Sequence, residues 1–210
     1  NTINIGAVYT LGRTLHGDAY KYHQTGAESN GSIYVQSQTG DTIPNPFKMP
    51  HTFGIGLTYV YDNRLTIGVD YTLQKWNTAD LAWSKFNKES VEMNSRTKIA
   101  FGAEFVPSYI SHNYLKRIRY RMGAYYSSPY NKVSYTSPDT GTTSFQDGAR
   151  EYGVSIGFGL PMFQSKSMLN ISGQYIKVSP KFKGLMEENY LRINIGLTFN
   201  ERWFMKWKVD

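Results

Sequence analysis

Apolar and polar residues alternate along most of this chain. In residues 65–74 Leu65, Ile67, Val69, Tyr71 and Leu73 hold the odd positions, against Thr66, Gly68, Asp70, Thr72 and Gln74. The stretch 52–61 sets Phe53, Ile55, Leu57, Tyr59 and Tyr61 against Thr52, Gly54, Gly56, Thr58 and Val60. The same two-residue period runs through Ile3–Leu11, Ile99–Phe105, Ile118–Tyr126, Tyr152–Leu160, Leu169–Tyr175 and Leu191–Phe199. A helix would need a period of 3.6, which none of these stretches has; the pattern predicts eight β-strands, each with one apolar and one polar face.

Strands of about ten residues tilted by about 45° are long enough to cross an outer membrane, and only alternate residues then meet lipid. The expected lipid-facing set includes Ile55, Leu57, Ile67, Val69, Phe101, Ile118, Ile156, Ile171, Ile193 and Ile195. Charges stay on the polar face at mid-strand; Lys75 and Lys177 depart from the rule near strand ends, where a long stem can snorkel. A lipid-facing Arg or Lys at mid-depth would cost about 2–4 kcal/mol.

The connections alternate in length. Residues 24–50, 78–95, 130–148 and 179–189 are long and polar, whereas 62–64, 109–114 and 162–167 are short. This asymmetry predicts extracellular loops for the long set and periplasmic turns for the short set, with both chain ends periplasmic. Soluble sandwiches and lipocalins alternate too but have no reason for it. Within the loops, Ile33–Gln38 reads as a hairpin extension, and Leu81, Trp83 and Phe86 suggest a helical turn. Aromatics at strand ends fit interfacial girdles: Trp76 and Tyr130 at one end, Tyr61, Phe163, Trp203 and Phe204 at the other. The expected fold is all-β, a transmembrane antiparallel up-and-down barrel over residues 1–210.

Composition supports this picture. The chain has 17 Tyr, 19 Gly and only 19% charged residues, as suits two-faced strands. No apolar run is long enough for a transmembrane helix. The net charge of +7 is scattered, which argues against a nucleic-acid tail. Absence of cysteine removes disulfides and thiolate metal sites. Asn1 opens directly into a strand pattern, so either a signal peptide has been removed or the sequence starts within a longer protein.

Candidate chemistry is sparse. His16, His23, His51 and His112 fall in loops or at strand ends, without ligand spacing. The Gly153–Gly159 run alternates as a strand and does not make a phosphate loop. Asp139–Gly148 has only Asp139 and Asp147 as carboxylates, too few for a calcium loop. No catalytic residue, metal or cofactor is expected. The informative set points inward: Asp70, Lys98, Glu104, Arg117, Arg119, Arg121, Glu151 and Arg192. These either neutralise one another as cross-strand pairs or attract an anionic head group, with the Arg117–Arg119–Arg121 ladder as bidentate partner.

The run FKMPHTFGIGLTYVYDNRLTIGVDYTLQKW, residues 47–76, resembles the central hairpin of the FadL/TodX family of outer-membrane hydrophobic-compound transporters. RTKIAFGAEFVP, YRMGAYYSSPYN, YGVSIGFGLP, MLNISGQYIKV and NYLRINIGLTFNERWF follow in a similar order, most like Bacteroidota members. Members of that family have about fourteen strands, within the range of outer-membrane barrels. They also carry an N-terminal hatch with an Asn-Pro-Ala motif; Asn45-Pro46-Phe47 is not a match. The resemblance implies the C-terminal strands of a longer barrel and passive transport of hydrophobic or amphiphilic molecules such as fatty acids. The alternatives are a non-transporting subunit of an outer-membrane assembly or secretion complex, and a small structural or adhesive barrel. Expected partners are outer-membrane lipids, a hydrophobic or anionic amphiphilic ligand, and other outer-membrane proteins or lipoproteins, with no nucleic acid.

Overall fold

The computed structural model of the chain describes residues 1–29, 32–78, 92–136, 141–162, 167–180 and 186–199. The path begins with β1 (Thr2–Thr10), the short β2 (Thr14–Leu15), a hairpin of β3 (Asp18–Ser29) and β4 (Ser32–Pro44), and the short β5 (Phe47–Lys48). Then come β6 (Thr52–Tyr61), β7 (Leu65–Gln74), β8 (Arg96–Phe105), the one-turn helix α1 (Tyr114–Arg117) and β9 (Arg119–Ser127). A second hairpin of β10 (Lys132–Thr136) and β11 (Thr143–Asp147) precedes β12 (Arg150–Pro161), β13 (Met168–Ser179) and β14 (Glu188–Thr198).

The eight long strands form one antiparallel sheet in the order β1-β6-β7-β8-β9-β12-β13-β14, so each pairs with the next long strand along the chain. Register carries the alternation across every pair. Leu57 faces Ile5 and Val69, Val69 faces Phe101, Phe101 faces Ala124, and Ala124 faces Val154. Ile171 lies between Phe158 and Ile195. One face of the sheet is therefore apolar from edge to edge, and the other carries the glycines, hydroxyls and charges.

The apolar face is open. Ile5 is 74% exposed and Ile195 72%, and Ile55, Val154 and Ile156 are exposed as well. The fully buried apolar residues, Ile43 and Val106, lie outside the eight-stranded sheet. A soluble sandwich would cover such a face.

The antiparallel meander forms as expected, but the sheet is open, with β1 and β14 at its two edges, so a barrel is not shown. Direct partners run Gly6–Gly56–Asp70–Ala100–Tyr125–Gly153–Ile176–Tyr190, from the centre of β1 to near the start of β14.

The connections differ from expectation in places. Ile33–Gln38 is part of β4, so the first projection is a hairpin spanning 18–44 and begins earlier than residue 24. Residues 130–148 contain the β10–β11 hairpin. Arg117 and Ile118 are not strand residues: Asn113 caps α1, its Oδ1 accepting from the Leu115 N–H at 3.0 Å, and the helix consumes Arg117. Ile118, expected to face lipid, is buried as the residue that ends that turn. At the β6–β7 turn Asp62 and Asn63 have φ of 48° and 52°, a left-handed conformation that Asp and Asn tolerate. The helical turn expected around Leu81, Trp83 and Phe86 lies outside the described residues, as do Phe163, Trp203 and Phe204.

Candidate functional site

The outer face is organised in levels. Tyr61, Leu65, Phe105, Tyr120 and Phe158 are direct neighbours on consecutive strands at the short-turn end. At the long-loop end Tyr9 packs on Phe53 at 4.8 Å and Tyr126 on Tyr152 at 5.2 Å between ring centroids. From Tyr120 to Tyr126 the levels are about 20 Å apart along β9, at ~3.3 Å per residue. That spacing, with only apolar residues between, matches the lipid band and girdles of outer-membrane strands. Trp76 is placed differently. It packs on Tyr130 at 5.8 Å, and Tyr130 receives the Arg96 guanidinium at 5.8 Å, so this pair covers charges of the polar face.

The polar face holds two charge clusters. Nearer the short turns, the Glu104 carboxylate bridges Arg121 (Nε to Oε2, 2.6 Å) and Arg119 (Nη1 to Oε1, 3.2 Å). Arg121 also donates from Nη1 to Asn170 Oδ1 at 2.8 Å. Nearer the long loops, Glu151 accepts from the Tyr125 hydroxyl at 2.5 Å and pairs with Arg96 at 3.4 Å. Arg96 Nε donates to the buried Ser127 hydroxyl at 2.7 Å, and Lys98 sits over the Tyr125 ring at 4.7 Å. The charged groups are all partly exposed, so each pair is worth little individually and the shared carboxylates do most of the neutralising.

Of the eight inward-pointing residues expected, Glu104, Arg119 and Arg121 meet in one cluster, and Lys98 and Glu151 in the other. Asp70 stands apart, exposed, facing Gly56; Arg192, also exposed and facing Gln174, lies within electrostatic reach of Tyr125 at the edge of the second cluster. Arg117 leaves the ladder for α1. Arg96, Tyr125, Ser127 and Asn170 complete the clusters and were missed. Strand parity already put them on the polar face, but parity alone names no partner.

Three open depressions line the sheet. One of about 360 Å³ has a floor of Gly6, Gly54 and Gly56 beside Asp70; one of about 330 Å³ lies beside Arg121, Asn170 and Asn194. The third, about 420 Å³, sits among Arg96, Ser127, Tyr130 and Glu151. Further loop contacts brace this last end: Asn94 Nδ2 donates to Asp147 Oδ1 at 2.7 Å, and Lys132 pairs with Glu92 at 2.5 Å. His51 has a local structural role, its Nδ1 accepting from the Gly12 N–H at 3.2 Å and meeting the Tyr9 hydroxyl at 2.7 Å. Among the described residues, no three His, Asp or Glu side chains come together as a metal site.

A family model described as BamG matches residues 1–210. No curated protein and no solved structure matches the chain. The family match overturns the FadL/TodX resemblance and with it the expectation of a hydrophobic-compound transporter. The runs that carried that resemblance are alternating hairpins, a pattern that strand-forming outer-membrane proteins share by physical necessity.

Proposed function

The chain belongs to the BamG family, and from that premise we propose that it is an integral, non-transporting subunit of a BAM-type outer-membrane assembly complex. The observation that carries this reading is the family match over all 210 residues. The geometry supports a membrane-spanning sheet: an edge-to-edge apolar face, aromatic levels at both ends, and mid-strand charges confined to the other side. In this reading the short turns lie in the periplasm and the β3–β4 and β10–β11 hairpins project outside the cell. The charge clusters are braces within the sheet, since Glu104 and Glu151 already engage the nearest cations. The protein has no catalytic role, and its partners are other outer-membrane proteins or lipoproteins of the complex.

The test is purification of the tagged, full-length protein from its native membranes in mild detergent, with identification of what accompanies it in stoichiometric amount. Assembly-complex subunits are expected. Elution alone, together with unchanged levels of other outer-membrane proteins after depletion, overturns the proposal in favour of a free-standing structural barrel.

A further inference from the structure

Where β6 and β7 are joined by a tight turn, β8 and β9 are joined by residues 106–118. This connection is a built element. Val106 is fully buried and donates its N–H to Arg64 O at 2.8 Å, and Ile118 is buried at the other end. The Ser108 N–H donates to Lys116 O at 2.8 Å, and the Tyr109 hydroxyl to Asn63 O at 2.7 Å.

Two large apolar side chains are nonetheless left out of this packing: Ile110 is 92% exposed and Leu115 62%. Beside them Lys116 is exposed and Arg117 half-exposed, and neither pairs with a carboxylate among the described residues. Tyr120 fixes their depth. It belongs to the aromatic level of the outer face, and its hydroxyl donates to the Leu115 carbonyl at 3.0 Å. The turn thus lies where hydrocarbon gives way to head groups.

We propose that the β8–β9 connection is an interfacial anchor that binds anionic phospholipid of the leaflet on the short-turn side. Ile110 and Leu115 enter the acyl region, and Lys116 and Arg117 take the phosphate. The proposal rests on the membrane-spanning reading above. An acidic polypeptide would also satisfy the two cations; the tie to Tyr120, at membrane depth, favours lipid.

The chain has no cysteine, so Ile110→Cys and Leu115→Cys can each carry an environment-sensitive fluorophore. The intact protein is reconstituted in phosphatidylcholine vesicles with and without phosphatidylglycerol. Both labels are expected to be quenched by spin-labelled lipid and shielded from iodide, more strongly when phosphatidylglycerol is present. Each cation near an anionic surface is worth about fivefold in partition. Adding Lys116→Gln and Arg117→Gln to the Leu115→Cys protein should therefore remove the phosphatidylglycerol increment and weaken its titration by at least about tenfold. Iodide reaching both labels, or an increment that survives the double substitution, overturns the anchor. Shielding that appears only when purified partner subunits are added reassigns the surface to protein and overturns it too. A label on Val154→Cys, mid-strand on the outer face, separates the two ways of failing. If it stays in lipid while 110 and 115 meet water, the anchor alone is wrong; if it too meets iodide, the spanning reading has failed and the anchor with it.

Discussion

The Tyr125 ring lies directly over Gly153, so close that a methyl group there would meet Cε1 at 2.0 Å. Gly153→Ala must displace the ring, breaking its hydrogen bond to Glu151 and its contact with Lys98. A loss of about 1–3 kcal/mol is expected, the usual cost of overpacking. Gly102→Ala, where a methyl group meets nothing within 4 Å, should be close to neutral. Urea unfolding from vesicles compares the two. Glu104 offers a second test, because one carboxylate holds two guanidiniums. Glu104→Gln leaves Arg119 and Arg121 facing each other unpaired, at a cost of about 1–2 kcal/mol given their partial exposure. Adding Arg121→Gln should restore part of that loss, and a double-mutant cycle that shows no coupling would argue against the brace. The identity of the charged residues on this face was legible in the sequence, because parity assigns a side. Their grouping into two clusters was not, since partners depend on the register between strands far apart in the chain. Asn170, for example, reaches Arg121 across β12.

Among the elements, the eight long strands were readable because each holds the two-residue period over seven or more residues. That reading has a direct consequence in lipid. Val69 sits on the outer face between Leu57 and Phe101, and Thr72 on the polar face. Val69→Arg should block insertion, at a cost of about 2–4 kcal/mol, and Thr72→Arg should insert normally. Heat-dependent gel mobility of extracted membranes reads both, and equal insertion would sink the proposed orientation of the faces. The helix α1 escaped notice because four residues carry no measurable period; the usable signal was Asn113 as a capping residue after Ser111 and His112. The β3–β4 hairpin was half legible. Ile33–Gln38 alternates, but in β3 Tyr20 and Tyr22 are followed on their side by Gln24, and Ala19, Lys21, His23 and Thr25 hold the other, so no sustained apolar side marks it.

For the molecule as a whole, sequence order foretold the meander of the eight long strands but not whether the sheet closes, because closure depends on how the two edge strands meet and no single strand displays that. Family membership was equally out of reach, since alternation records the solvent on each side of the sheet and is indifferent to ancestry. The hairpin that leaves the sheet between β1 and β6 bears on how it assembles. β3 and β4 pair only with each other, and their base is pinned by the Asn45 N–H donating to Gly17 O at 2.8 Å, with β2 on β5 below. Excising residues 18–44 and joining Gly17 to Asn45 should therefore leave insertion intact. Without the hairpin's own pairing, β1 would have to find β6 across the whole of residues 11–51 as a floppy tether, and each doubling of such a tether costs about 0.6 kcal/mol of chain entropy. The zipped hairpin leaves only residues 11–17 and 45–51 to be closed, about a threefold shorter span and a saving of roughly 1 kcal/mol. A Gly/Ser segment of equal length in place of 18–44 should then slow refolding into vesicles by about fivefold, whereas the excised protein keeps its rate. The projecting arm is in this sense a clasp that turns the most distant pairing of the sheet into a local one.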